Sequence, residues 1–236
     1  MAAKILLFSL ILFSQVSAFG QNNDLQKLLA QDWACLRCFQ DDNAKVPAPT
    51  PGENRVVFMG NSITIGWLHL DSEFFAGKPY YNRGISGQTT PQMLIRFRPD
   101  VINLKPKVVV ILAGTNDIAA NTGYTALETI FGNIVSMVEL ARANGIRVVL
   151  SSILPAFDYP WRPGMDPLHK IPELNELLKG YCDAHNVVYL DYFSAMVDER
   201  GGMKSELTHD GVHPTRAGYE VMGPLAEKAI AEALAK

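Results

Sequence analysis

One serine, one histidine and one aspartate in this chain have the types and neighbours needed for acyl-transfer chemistry. Ser62 follows the apolar run Val56-Val57-Phe58-Met59-Gly60 and a single Asn61, while Asp210 and His213 share the segment Asp210-Gly211-Val212-His213-Pro214. A serine hydroxyl is a poor nucleophile until a base takes its proton, and imidazole is suited to that task near neutral pH. A carboxylate three residues before the histidine can hydrogen-bond the ring, fix its tautomer and steady the imidazolium. Attack on a carbonyl also builds an oxyanion. Candidate donors for it are the backbone N–H groups of Ser62 and Gly87 and the side-chain amide of Asn116, and losing one such donor typically costs about 3 to 4 kcal/mol. Taken alone, Gly60-Asn61-Ser62 reads as a strand-to-loop turn, and Asn-Asp and Asp-Gly are common turn dipeptides. Their joint placement carries the weight, and that depends on the elements around them.

Those elements alternate. Val56 to Gly60, Tyr80 to Ile85, Lys107 to Leu112, Ile146 to Ile153 and Val187 to Tyr192 read as strands, with the third so uniformly branched and apolar that burial on both faces is expected. Between them fall helices: Ile65 to Phe75, one from Thr90-Pro91 to about Lys105 with Thr90 as cap, Thr125 to Asn144, Ile171 to His185, and a closing helix from Thr215 to Ala235. Alternation of this kind predicts βαβ units and a single α/β domain, a three-layer α/β/α sandwich around a five-stranded parallel sheet with flavodoxin-like order. In such sheets the working crevice lies beyond the carboxyl ends of the strands. The clusters Gly60-Asn61-Ser62, Ser86-Gly87 and Gly114-Thr115-Asn116-Asp117 all follow strands, and Asp210 to His213 precedes the last helix.

Length and composition fit one domain of 236 residues, and a formal net charge of −3 with no basic stripe gives no case for a nucleic-acid partner. Residues 1–18 read as a secretory signal peptide: Lys4, an apolar run from Ile5 to Phe13, then Val16-Ser17-Ala18. That run is short of the roughly 20 residues of a spanning helix, so no stable membrane insertion is expected, and the product is placed in the periplasm or outside the cell. Residues 19–52 are expected to hold a helix over Asp24 to Asp42 and a stiff linker, Val46-Pro47-Ala48-Pro49-Thr50-Pro51-Gly52, with the domain proper over 53–236. Cys35, Cys38 and Cys182 are an odd number. Cys35 and Cys38 are expected on one face of the N-terminal helix, since nothing completes a zinc set around their C-x-x-C spacing.

With the four clusters in hand, the chain resembles the SGNH hydrolases, the GDSL-type lipase and esterase family. Gly60-Asn61-Ser62-Ile63, Gly87, Gly114-Thr115-Asn116-Asp117 and Asp210-Gly211-Val212-His213-Pro214 match its blocks in order, over about residues 55–225. The resemblance implies an α/β/α sandwich, Ser62 as nucleophile, a triad of Ser62, His213 and Asp210, an oxyanion hole from Ser62, Gly87 and Asn116, and no metal or organic cofactor. One position departs from it: Asn61 stands where the family more often has Asp. Asn keeps the turn-forming acceptor and loses a charge, so geometry should persist while local electrostatics change. The G-x-S-x-G elbow of ordinary α/β-hydrolases would need glycine at Thr64 and is excluded.

Phe157, Tyr159 and Trp161, with Arg162, lie on a loop expected to overhang the crevice, where aromatic faces can stack on a sugar or hold an acyl chain. Arg83, Arg96 and Arg98 are expected to be solvated, Asp117 to shape a turn, and His69, His169 and His185 to lie on surface or loops. His209 with Asp210 and His213 has metal-ligand types, but the serine chemistry already uses two of the three. The function expected is an exported serine esterase removing short acyl groups such as acetate from a small-molecule or polysaccharide ester. Its alternatives are a lipid-directed acylhydrolase and a non-catalytic carbohydrate-binding module. Oligomeric state is not readable.

Overall fold

The computed structural model describes residue 26 and residues 30–236, and residues 34–236 make up the unit treated below. The expected signal peptide lies outside the described residues. Five strands, β1 (Val56–Gly60), β2 (Tyr80–Gly84), β3 (Val108–Ile111), β4 (Arg147–Ser151) and β5 (Val188–Leu190), form one sheet in the order β2-β1-β3-β4-β5. Every pairing is parallel. All residues of β1 and β3 are buried, as expected of Val-rich strands covered on both faces.

The pleat sends alternate side chains to opposite layers. Val57, Met59, Val109 and Ile111 pack on helices α3 (Thr90–Asp100), α5 (Leu127–Ala143) and α6 (Pro167–His185), whose Phe97, Ile134 and Leu174 are fully buried. Val56, Phe58, Val108 and Val110 face α2 (Ser62–Leu70) and α8 (Arg216–Ala235), through Trp67 and Met222. That is the expected three-layer sandwich. Because the chain steps from β1 outward to β2 and then back across to β3, the switch point lies at the β1/β3 exits.

Several boundaries move for identifiable reasons. Helix α3 is capped by Thr89 rather than Thr90: Gln92 Oε1 accepts from the Thr89 N–H at 3.0 Å and from its hydroxyl at 3.1 Å. Thr90 is thereby freed to bond Asp117. Ahead of the sheet, the expected helix over Asp24 to Asp42 is not continuous: residue 26 is helical, residues 30–39 run through turns and bends, and a short α1 (Gln40–Lys45) follows, since Cys35 takes φ +57, which a helix cannot absorb. Cys35 and Cys38 are joined to each other as a disulfide. Cys182 is free and buried, and burial pushes its thiol up to about 12, which leaves it unreactive at neutral pH.

Candidate active site

Ser62 is the first residue of α2, separated from the end of β1 by Asn61 alone. Asn61 caps the helix by accepting from the Ile63 N–H at 3.0 Å, so the turn-forming acceptor is retained despite the missing charge. Gly60 is required here: a side chain at that position would run into the Thr64 side chain and the Leu112 carbonyl. The Ser62 N–H is one of the unpaired donors of a helix N-terminus, pointing where negative charge is favoured.

His213, in the loop before α8, reaches Ser62 with Oγ to Nε2 at 2.9 Å. Its other nitrogen, Nδ1, lies 2.7 Å from Asp210 Oδ2. An ionised carboxylate only accepts, so Nδ1 carries the proton and Nε2 presents its lone pair to the serine hydroxyl. Asp210 is itself fixed by a tight turn, its Oδ1 accepting from the N–H groups of Val212 at 2.9 Å and His213 at 2.7 Å. Partial burial pushes the carboxyl up, but these hydrogen bonds and the imidazole outweigh it and hold Asp210 below its ordinary value. The turn is closed by the Thr208 hydroxyl, which accepts from the Gly211 N–H at 3.0 Å and donates to the His213 carbonyl at 2.8 Å.

The other expected donors come to the same end of the sheet. Gly87 takes φ +76 in the loop after β2, with open space where a side chain would stand. Asn116 sits in the first turn of α4 (Thr115–Ile118), after β3, and donates from Nδ2 to the Gln88 carbonyl at 2.9 Å. That bond uses one of its two amide hydrogens and leaves the other for a ligand. Asp117 shapes the same turn by accepting from the Thr90 N–H at 2.9 Å and hydroxyl at 2.6 Å. Burial raises it to about 6, with the Thr90 hydrogen bonds opposing.

Arg96 overturns an expectation. It is fully buried, as is its partner Asp100 at 3.0 Å, and Arg83 is buried too. The guanidinium donates to the side chain of Gln88, to the Arg83 carbonyl at 2.9 Å and to the Gly60 carbonyl at 3.0 Å. It thus ties the exits of β1 and β2 to the loop that holds Asn116. Arginine flanking a helix reads as solvated because sequence alone does not show that three backbone segments end at its tip. Arg98 is exposed, as expected.

The aromatic loop is also corrected at one position. Tyr159 is fully buried, its hydroxyl 3.0 Å from Thr115 Oγ1, so its face is not open to a substrate; it underlies Trp161, with ring centroids 5.1 Å apart. Trp161 is 42% exposed and stands 5.7 Å from the His213 ring, and Phe157 is 55% exposed. Trp161 Nε1 donates to Asn121 Oδ1 at 3.1 Å, and Asn121 Nδ2 donates to the Gly87 carbonyl at 3.2 Å. Nothing in the sequence singled out Asn121. His209, Asp210 and His213 do bring ligand atoms within 4.8 Å of one another. Yet both Asp210 oxygens and both His213 nitrogens are engaged, and a cation there would break the link to Ser62.

A parallel α/β/α sandwich with a serine, histidine and aspartate linked in series at its switch point has the architecture of an ester-cleaving enzyme. Residues 58–221 match the model of the GDSL-like lipase/acylhydrolase family. The chain belongs to this family, the SGNH hydrolases, and is an ester-hydrolysing acylhydrolase. It is 31% identical over 183 residues to the platelet-activating factor acetylhydrolase IB subunit alpha2 of Homo sapiens, covering 74% of this chain and 76% of the relative. Among solved structures, a candidate acylhydrolase of Bacteroides fragilis is 50% identical with a TM-score of 0.85, covering 86% of this chain and 99% of the other. A GDSL-like lipase of Bacteroides thetaiotaomicron is 46% identical with a TM-score of 0.83, covering 86% and 100%.

Proposed function

We propose that the chain is an exported serine esterase that removes short acyl groups, acetate foremost, from carbohydrate esters by way of an acyl-enzyme on Ser62. The observation that carries the reading is the series Ser62, His213, Asp210 at 2.9 and 2.7 Å. Ser62 Oγ attacks the ester carbonyl while its proton passes to His213 Nε2, and Asp210 holds the resulting imidazolium. The oxyanion lies against the N–H groups of Ser62 and Gly87 and the free amide hydrogen of Asn116, each such donor being worth about 3 to 4 kcal/mol. Collapse breaks the bond to the alcohol, which leaves with the proton from Nε2. Water then enters by the same route: His213 takes its proton, hydroxide adds to the acyl carbon, and the acid departs as Ser62 regains its hydrogen.

Support for acetate comes from the human relative, an acetylhydrolase by name, and support for a sugar comes from the exposed rings of Phe157 and Trp161. Export is inferred from residues 1–18, and appearance of the chain outside the cytoplasm with its first residues removed tests it. The catalytic reading is tested by Ser62→Ala, which is expected to abolish nitrophenol release from 4-nitrophenyl acetate. Undiminished release would sink the reading.

A further inference from the structure

Beside the catalytic series stands a histidine that the mechanism above does not use. His209 precedes Asp210, and its ring is stacked beside that of His213, with centroids 5.9 Å apart and planes 20° from parallel. We propose that His209, Asp210 and His213 form a binding site for a divalent transition-metal cation, zinc foremost, and that the bound ion reversibly switches the enzyme off. The ion is an inhibitor and not a cofactor, and the proposal rests on the reading of Ser62, His213 and Asp210 as the catalytic series.

The turn itself brings the ligands together. Thr208 and Pro214 pair as an antiparallel bridge, and the His209 N–H donates to the His213 carbonyl at 3.3 Å, which holds the two histidines side by side. Asp210 Oδ2 lies 2.7 Å from His213 Nδ1 and 4.0 Å from His209 Nε2, and one ligand atom from each residue falls within 4.8 Å of the other two. Two imidazoles and a carboxylate suit zinc, with water in the fourth place, whereas magnesium and calcium favour oxygen ligands. Zinc sets tetrahedral ligands about 3.4 Å apart, so Oδ2 and Nδ1 must part by about 0.7 Å and His209 swing inward by about 1 Å. Both moves are open. Among the described residues the His209 ring nitrogens hold no hydrogen bond, and the side chain is 57% exposed. Oδ2 accepts from Nδ1 alone, because Oδ1 carries the Val212 and His213 N–H groups.

The consequence is a change of tautomer. Neutral His213 has one ring proton, on Nδ1 toward Asp210, and Nε2 accepts from the Ser62 hydroxyl. A cation that takes the Nδ1 lone pair displaces that proton, and one proton is taken up at Nε2, so the ring stays neutral. Nε2–H then offers no lone pair to the serine hydroxyl, and Ser62 has lost its base.

The test is zinc inhibition of 4-nitrophenyl acetate hydrolysis by the wild type, His209→Gln and His169→Gln, with magnesium as the control ion. His169, 2.6 Å from Asp166, is a rival pair for zinc elsewhere in the chain. The expected result is inhibition of the wild type by zinc but not by magnesium, with the full rate restored by excess EDTA. His209→Gln should keep its zinc-free rate within about twofold and raise the inhibition constant at least about tenfold, while His169→Gln behaves as wild type. No inhibition up to about 1 mM zinc, equal inhibition constants in wild type and His209→Gln, or loss of activity to EDTA alone overturns the proposal. A second arm needs no turnover: nitrogen-15 NMR of the histidine rings in the Ser62→Ala protein during a zinc titration, with and without His209→Gln. Zinc should move the His213 ring proton from Nδ1 to Nε2, and His209→Gln should shift that change to higher zinc. Bound zinc that leaves the proton on Nδ1 overturns the proposal. Ser62→Ala that still hydrolyses esters overturns the catalytic reading instead.

Discussion

Arg96→Met gives the sharpest test of how the site is held together. The substitution keeps an unbranched side chain of similar reach and removes the guanidinium from a position with no solvent exposure. The Gly60 and Arg83 carbonyls and the Gln88 side-chain oxygen each lose a donor, the Gly60 carbonyl keeping the Ile85 N–H at 3.1 Å, and a buried acceptor left unpaired costs about 1 kcal/mol at the low end. Asp100 keeps the Asn43 amide at 2.7 Å but loses its ion-pair partner, a change usually costing about 3 to 5 kcal/mol. Water entry will recover part of this, which leaves a loss of at least about 4 kcal/mol. In a domain of this size each kcal/mol moves Tm by about 2 to 4 °C, so the melting point should fall by about 8 to 16 °C. Calorimetry at neutral pH is the assay. A shift under about 4 °C would refute the accounting. The double variant Arg96→Met with Asp100→Leu should melt above Arg96→Met alone, since it removes the stranded charge; a double variant that is no better would show that the charge was not the main cost.

Asp210→Asn should lower kcat on the order of a thousandfold or more, because both Asp210 oxygens accept hydrogen bonds and an amide nitrogen must face one set of those donors. Steady-state rates on 4-nitrophenyl acetate decide it, and a loss under about tenfold would contradict it. Asp117 sets a pH dependence of stability. Burial raises its folded-state value to about 6, so the folded chain binds that proton more tightly than the unfolded chain does. Its contribution is greatest below about pH 4 and declines as pH rises to about 6, by up to about 3 kcal/mol. In Asp117→Asn that decline is gone, so Tm of the variant minus Tm of the wild type should rise from pH 4.5 to 7; a flat difference would contradict the assignment.

What was legible in the sequence divides by the range of the cause. Strand and helix positions follow from local periodicity, and the four polar clusters could be placed because each ends an element. The relay of Ser62, His213 and Asp210 was readable for the same reason: once the sheet is parallel, strand ends converge. Arg96, Tyr159 and Asn121 were not readable, since their roles depend on which backbone groups lie at the tip of a side chain. Arg96 looks like a surface cation until the Gly60, Arg83 and Gln88 segments close around it. Tyr159 looks like its neighbours Phe157 and Trp161 until Thr115 takes its hydroxyl. The break in the N-terminal helix was unreadable for another reason. Its leucine spacing is helical, but Cys35 in the left-handed region and its bond to Cys38 set the chain path there.

Asn121 allows the oxyanion loops and the aromatic wall to be separated by experiment. Its Oδ1 holds Trp161 Nε1 at 3.1 Å, its Nδ2 holds the Gly87 carbonyl at 3.2 Å, and its N–H holds the Asn116 carbonyl at 3.0 Å. Asn121→Asp keeps the acceptor for Trp161 and places a second oxygen against the Gly87 carbonyl. If the Gly87 N–H serves the oxyanion, its loop must shift and kcat should fall. Loss of a whole donor costs about 100- to 1,000-fold, and a displaced one should cost about tenfold. Trp161→Phe does the reverse: it cuts the indole bond and leaves Asn121 on Gly87, so its effect should lie in KM. The two variants therefore predict opposite splits on the same substrate. Should Asn121→Asp change KM alone, Gly87 is not a donor whose position limits the chemical step, and the oxyanion would have to be carried by Ser62 and Asn116.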